Sequence, residues 1–138
     1  MDLWRAAHDD GISDTVSFAR RREDAERYLD NPGFGGPTLY RATVCPAPSE
    51  VLDLWGMGQA QALRALERAT GLRGLSDQGE TADVLVCSSV RVQDALVEHG
   101  LRWVRVEDTY PAGCETWTYI SRSDRDDPTM DLAEEDRS

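Results

Sequence analysis

The chain carries its positive charge on arginine alone: it has fifteen arginines and no lysine. Without lysine, neither a phosphate-loop lysine nor a Schiff base is possible. Two histidines, His8 and His99, are too few for a multi-histidine metal site, and they leave a Ser-His-Asp triad only two candidate bases. Cys45, Cys87 and Cys114 are odd in number, far apart and free of any C-x-x-C spacing, which excludes a zinc ribbon and a thioredoxin-type motif. Reduced thiols buried as small core residues are the expectation, and no metal site is expected. Gly33, Gly35 and Gly36 do not form a G-x-G-x-x-G fingerprint, so a dinucleotide-binding Rossmann unit is rejected. What remains is chemistry done by guanidinium forks, carboxylates and aromatic rings. A guanidinium offers a planar donor fork to phosphate, a carboxylate accepts hydrogen bonds and stabilises positive charge, and an aromatic ring stacks on a flat ligand.

The elements that must hold these groups are short. Residues 3–7 and 15–19 read as strands, and Ala25, Tyr28 and Leu29 share one face of a helix over 21–29. Gly and Pro residues over 31–37 then break the chain. Residues 38–44 alternate as a strand, with Tyr40, Ala42 and Val44 on one side and Leu39, Arg41 and Thr43 on the other. A brief apolar run, 51–55, precedes a helix over 59–70 that Gly71 stops. Residues 83–87 fit a strand or the start of a helix, because an apolar run alone does not decide. A helix over 92–99 closes at Gly100, and two strands, 101–107 and 115–120, finish the body. Strands at both ends and helices in the middle predict an α+β fold with two to four helices.

At 138 residues the chain fits one domain, expected over 1–120. Residues 121–138 carry seven acids against three arginines and few large apolar side chains, which predicts a disordered acidic tail. No apolar run reaches ~18 residues and the first residues lack a signal-peptide pattern, so a cytoplasmic protein without membrane association is expected. A net charge of −11 disfavours a surface that tracks nucleic-acid phosphates and suits a basic partner.

The order of these segments resembles a minimal ADP-ribosyltransferase. Leu3-Trp4-Arg5, then Ser17-Phe18-Ala19, a helix ending near Tyr28, and Leu39 to Val44 look like the front half of that family. Residues 100–106, a loop and residues 115–120 are similar to its penultimate strand, catalytic loop and acid-bearing last strand. Small bacterial toxins and phage-encoded transferases, including some anti-CRISPR proteins, share this abbreviated layout. The resemblance covers roughly residues 3–120. It implies a split β-sheet core, NAD as substrate, and transfer of ADP-ribose to a macromolecular acceptor such as a protein.

It also implies roles. Arg5, with Ala6 beside it, would anchor NAD; Ser17 would brace it; Phe18 and Tyr28 would flank the nicotinamide; Arg41 would add a phosphate contact. Loss of nicotinamide builds positive charge on the ribose, which a nearby carboxylate stabilises. Glu115 is the first candidate for that acid, Asp108 with Glu107 the second, and Asp83 the third. No Glu-x-Glu pair precedes the final strand, so arginine as acceptor is not implied. His8 could touch the adenosine end, and no chemistry is assigned to His99. The alternative class is a catalytically silent acidic binding or inhibitor module, of an anti-defence or immunity-like kind. A third reading is an RNA-phosphate-processing relative using Arg5, Arg41 and His8.

Overall fold

The computed structural model describes residues 1–7, 15–29, 36–109 and 112–120, and the backbone path of 131–135. His8 and most of the 31–37 turn lie outside these residues. A mixed seven-stranded sheet runs through the molecule: β1 (Asp2–Ala7), β2 (Val16–Ala19), β3 (Thr38–Thr43), β4 (Val51–Asp53), β5 (Trp103–Thr109), β6 (Ala112–Tyr119) and β7 (Asp131–Glu135). Their spatial order is β4-β5-β6-β2-β1-β3-β7. Only β4 and β5 are parallel; every other neighbouring pair is antiparallel. Four α-helices stand among the described residues: α1 (Arg22–Glu26), α2 (Gln59–Thr70), α3 (Ala82–Ser88) and α4 (Val90–Glu98). The α+β class is therefore as expected from the sequence.

The sheet is weakest at its middle. β1 and β3 share six register pairs and β2 and β6 share four, but β1 and β2 share one, Trp4↔Ala19. The sheet thus parts into a β4-β5-β6-β2 half and a β1-β3-β7 half.

Each face of the sheet has its own core. On one face Val104, Val106 and Ile120 meet Leu63 and Leu66 of α2, Leu85 and Val86 of α3, and Val92 and Leu96 of α4. On the other face Leu3, Phe18, Ala42, Trp103 and Tyr119 cluster, with Trp117 against them. The Trp103 ring lies 4.9 Å from Tyr119 and 6.2 Å from Phe18 between centroids, within the range of favourable aromatic pairs.

Local chemistry explains the helix boundaries. α2 keeps its expected span, with Ala62, Leu63, Ala65 and Leu66 inward and Gly71 in the left-handed region at φ 73°. α1 is shorter than expected: after Glu26 the chain continues in tighter turns, with Tyr28 N–H donating to Ala25 O and Leu29 N–H to Glu26 O. The run Arg20-Arg21-Arg22 is absorbed locally. Arg20 donates to the Asp2 carbonyl at 3.1 Å, Arg21 pairs with Glu23, and Arg22 pairs with Glu26 at 2.8 Å.

The ambiguous 83–87 run is helical, because Ala82, Asp83, Leu85 and Val86 are buried at helical spacing. Ser89 then caps α4 by accepting from Val92 N–H at 3.3 Å. At the other end of α4, Leu101 N–H donates to Leu96 O and Gly100 N–H to Val97 O, with Gly100 at φ 79°. This Schellman arrangement consumes residues 100–101 and delays β5 to Trp103. His99 is the C-cap of α4, and its Nε2 lies 3.2 Å from Thr70 O.

Two corrections concern the C-terminal third. β5 runs on to Thr109 and β6 begins at Ala112, so Asp108 belongs to a strand and not to a loop. Within the expected disordered tail, Asp131–Glu135 form β7 and pair with β3, from Thr43↔Asp131 to Leu39↔Glu135.

Gly100 generates a prediction. A Cβ there would meet no neighbouring atom, but φ 79° is unfavourable for any L side chain. Gly100→Ala should therefore lower unfolding stability by about 1–2 kcal/mol, read from the urea midpoint with unchanged m-value.

Candidate functional site

Where the two halves of the sheet part, a crevice of about 680 Å³ opens. That is within the range of roughly 300–1,000 Å³ common for small-ligand sites. β1 and β2 form one wall, β5 and β6 the floor, α3 the opposite wall, and α1 with the turn after it the roof.

Hydroxyls and a thiol line the crevice. The register Ser17↔Thr118 sets two hydroxyls side by side, 2.9 Å apart. Ser17 Oγ also lies 3.2 Å from Cys87 Sγ on α3. Desolvation by the surrounding protein pushes the Cys87 thiol above its ordinary pKa, more than the hydrogen bonds with Ser17 and Thr118 lower it. The thiol therefore stays protonated at neutral pH and is a poor nucleophile. All three cysteines are free, but none belongs to the core as expected: Cys45 and Cys87 are exposed, Cys114 is half-buried, and Cys87 and Cys114 line the crevice.

Two carboxylates enter from one end. Asp83, in the first turn of α3, is buried, and both its oxygens are occupied. Thr109 N–H donates to Oδ2 at 3.0 Å and Thr109 Oγ1 to Oδ1 at 2.8 Å. Burial alone would raise the Asp83 pKa; hydrogen bonds from Thr81 and Thr109 outweigh it and hold the carboxyl below its ordinary value. Asp83 thus fastens α3 to β5. Asp108, one residue before Thr109, accepts from Tyr28 Oη at 3.4 Å. Burial, and next the charge of Asp108, push the Tyr28 phenol up to about 12, so it stays a neutral donor.

The roof comes from α1. Asp24 and Ala25 are buried, and the Arg27 guanidinium spans 4.0 Å to Asp24 Oδ1 and 4.0 Å to Cys114 Sγ. On β1, alternation puts Trp4 on the face of Ala19, its register partner. Arg5 follows Leu3 in that alternation and borders the crevice at the gap between β1 and β2.

Seven of the residues expected at a site line this one crevice: Arg5, Ala6, Ser17, Phe18, Tyr28, Asp83 and Asp108. Phe18 does so from its strand, since its ring packs toward Trp103 on the far face. Glu115, Glu107 and Arg41 do not line it. Glu115 alternates to the face opposite Thr116 and Thr118. There it accepts from Arg105 Nε at 3.1 Å, from Arg105 Nη2 at 3.2 Å and from Trp117 Nε1 at 2.8 Å. Arg105 also donates to Asp53 at 3.2 Å and lies 5.5 Å from the Trp55 ring and 5.9 Å from Trp117. Arg41 is exposed on β3, across β1 from the crevice.

Trp4, Asp24, Arg27, Cys87, Cys114, Thr116 and Thr118 also line the crevice and were not anticipated there. For the threonines a signal existed, because Thr116 and Thr118 alternate against Trp117 and Tyr119 along β6. For Cys87 none did: its neighbour Ser17 is 70 residues away in the chain.

The arrangement can hold a flat ring beside Tyr28, offer hydroxyls to a sugar, and set the Asp108 carboxylate against a developing positive charge. Among the described residues no cluster of three or more His, Cys, Asp or Glu could hold a metal ion, and no helix is long and apolar enough to cross a membrane. Comparison of the chain with known protein families, with curated proteins and with solved structures yielded no match.

The Asp83 clamp generates a prediction. Its folded-state pKa lies below the unfolded value, so its stabilisation is complete above that unfolded value, ~3.9, and is lost as pH falls through the folded one. Asp83→Asn should cost about 1–3 kcal/mol at pH 7. The gap to the unmodified protein should narrow in acid, as read by urea unfolding across pH 2.5–7.

Proposed function

We propose that this chain is an NAD-dependent ADP-ribosyltransferase of minimal size, with a fold of that family's split-sheet kind. The observation that carries the proposal is the convergence of Arg5, Ser17, Tyr28 and a carboxylate, Asp108, on one crevice at the parting of the sheet. Nicotinamide would lie beside Tyr28, with the ribose over the Ser17 and Thr118 hydroxyls. Asp108 would stabilise the positive charge that builds on the ribose as the glycosidic bond breaks. Burial, and next Asp108, push the Tyr28 phenol up to about 12, so the ring supplies a neutral stacking face and a donor. Within this reading Glu115 has no catalytic part, because its carboxylate is spent on Arg105 and Trp117. A nucleophile of a macromolecular acceptor would then take the ADP-ribosyl group.

A second reading is an acidic binding module without catalysis. It is favoured by three acidic residues in the crevice lining, Asp24, Asp83 and Asp108, against two arginines, Arg5 and Arg27, in a chain of net charge −11. Such a module would bind a basic protein in a salt-sensitive, NAD-independent way.

Release of free nicotinamide from NAD separates the two. The transferase reading expects release, with Asp108→Asn reducing it by about 100-fold or more and Glu115→Gln leaving it within a few fold. Saturating NAD should also raise stability, by about 2.7 kcal/mol at 100 times its dissociation constant. Absence of both release and stabilisation at millimolar NAD would leave the binding module as the surviving reading.

A further inference from the structure

We infer that Arg27, at the roof of the crevice, is the residue that selects a diphosphate-bearing ligand; the inference rests on the NAD reading above. The floor and walls near Tyr28 offer hydroxyls, thiols and carboxylates, which suit a ribose and a cationic ring but repel phosphate. A ligand with a diphosphate therefore needs a cation at the crevice that is still open to solvent. Among the described lining residues only Arg5 and Arg27 are cationic. Arg5 follows Leu3 in the β1 alternation and meets the crevice from the gap beside β2. Arg27 differs: both of its contacts are to crevice-lining residues, Asp24 and Cys114, and both are long, at 4.0 Å.

Its side chain is 57% exposed while that of Asp24 is 8% exposed. The buried carboxylate thus biases the guanidinium toward the opening without closing a tight bidentate pair around it. Five N–H donors in a planar fork then suit a diphosphate, whose charge outweighs that of one carboxylate at this distance. The position explains how an acidic crevice admits an anionic ligand: phosphates stay at the rim on Arg27, and only the riboside passes below, to Tyr28 and Asp108.

The test is calorimetric titration of the full chain with two ligands that differ in phosphate, ADP-ribose and nicotinamide riboside. Arg27→Gln is expected to weaken ADP-ribose by about ten-fold or more and to leave nicotinamide riboside within two-fold. Arg27→Lys, a charge without the fork, should recover part of the loss. Added salt should weaken ADP-ribose binding less in Arg27→Gln than in the unmodified protein. If the unmodified protein binds ADP-ribose and Arg27→Gln binds it equally well, Arg27 is not the selector and the crevice reading stands. Equal weakening of both ligands, with a lower melting temperature, would make Arg27 a support of α1 and overturn the inference. If the unmodified protein binds neither ligand, both the inference and the NAD reading fall.

Discussion

Alternation along β6 is the constraint from which the rest of the structure follows. Thr116 and Thr118 point to one face, Glu115, Trp117 and Tyr119 to the other, and the register with β2 and β5 carries that division across the sheet. On one side hydroxyls open into a crevice; on the other indoles and a phenol pack into a dry cluster with Phe18 and Leu3. A shift of one residue would put Trp117 into the crevice and Thr118 among the rings, exchanging the two environments completely.

Each face carries a polar clamp of its own kind. Asp83 is buried and serves Thr109 on both oxygens, so the first turn of α3 is fixed to β5 where the crevice ends. Arg105 is held on the opposite face by Glu115 and Asp53 and lies between two indoles. Burial governs their strength. Asp83 loses much of its hydration and recovers it through short hydrogen bonds, whereas Asp53 is exposed and its pairing is screened by solvent. The crevice beside Asp83 can therefore hold polar groups in fixed positions while its mouth, around exposed Arg27, opens to solvent.

Much of the architecture was legible from residue pattern. Gln59 to Thr70 declared its helix through apolar spacing and the following glycine, and Trp103, Trp117 and Tyr119 declared strands by alternation. The limits are equally specific. Alternation shows that Glu115 and Thr116 face opposite ways, but not which face holds the crevice; that depends on where α3 packs. The run from Asp83 to Cys87 was undecided because its local preferences are balanced, and its ties to Thr109 and Ser17 come from distant parts of the chain. Asp108 looked like a loop residue because Pro111 and Gly113 suggest an early break, yet β5 continues through an irregular register between Glu107 and Thr109. β7 was missed because Asp131 to Glu135 has little apolar character, and its pairing with β3 draws on backbone groups, which composition does not report.

That last strand bears on how the molecule meets its own kind. β3 would otherwise present a row of unpaired N–H and C=O groups, long enough at six residues to template another chain. The backbone of Asp131–Glu135 occupies that row. The border it substitutes belongs to a segment with three acids in five residues, and the far border, β4, is only three residues long. Both margins of the sheet thus discourage stacking into fibrils, and the acidic C-terminal stretch acts as a selvedge that keeps the fabric from fraying into its neighbours.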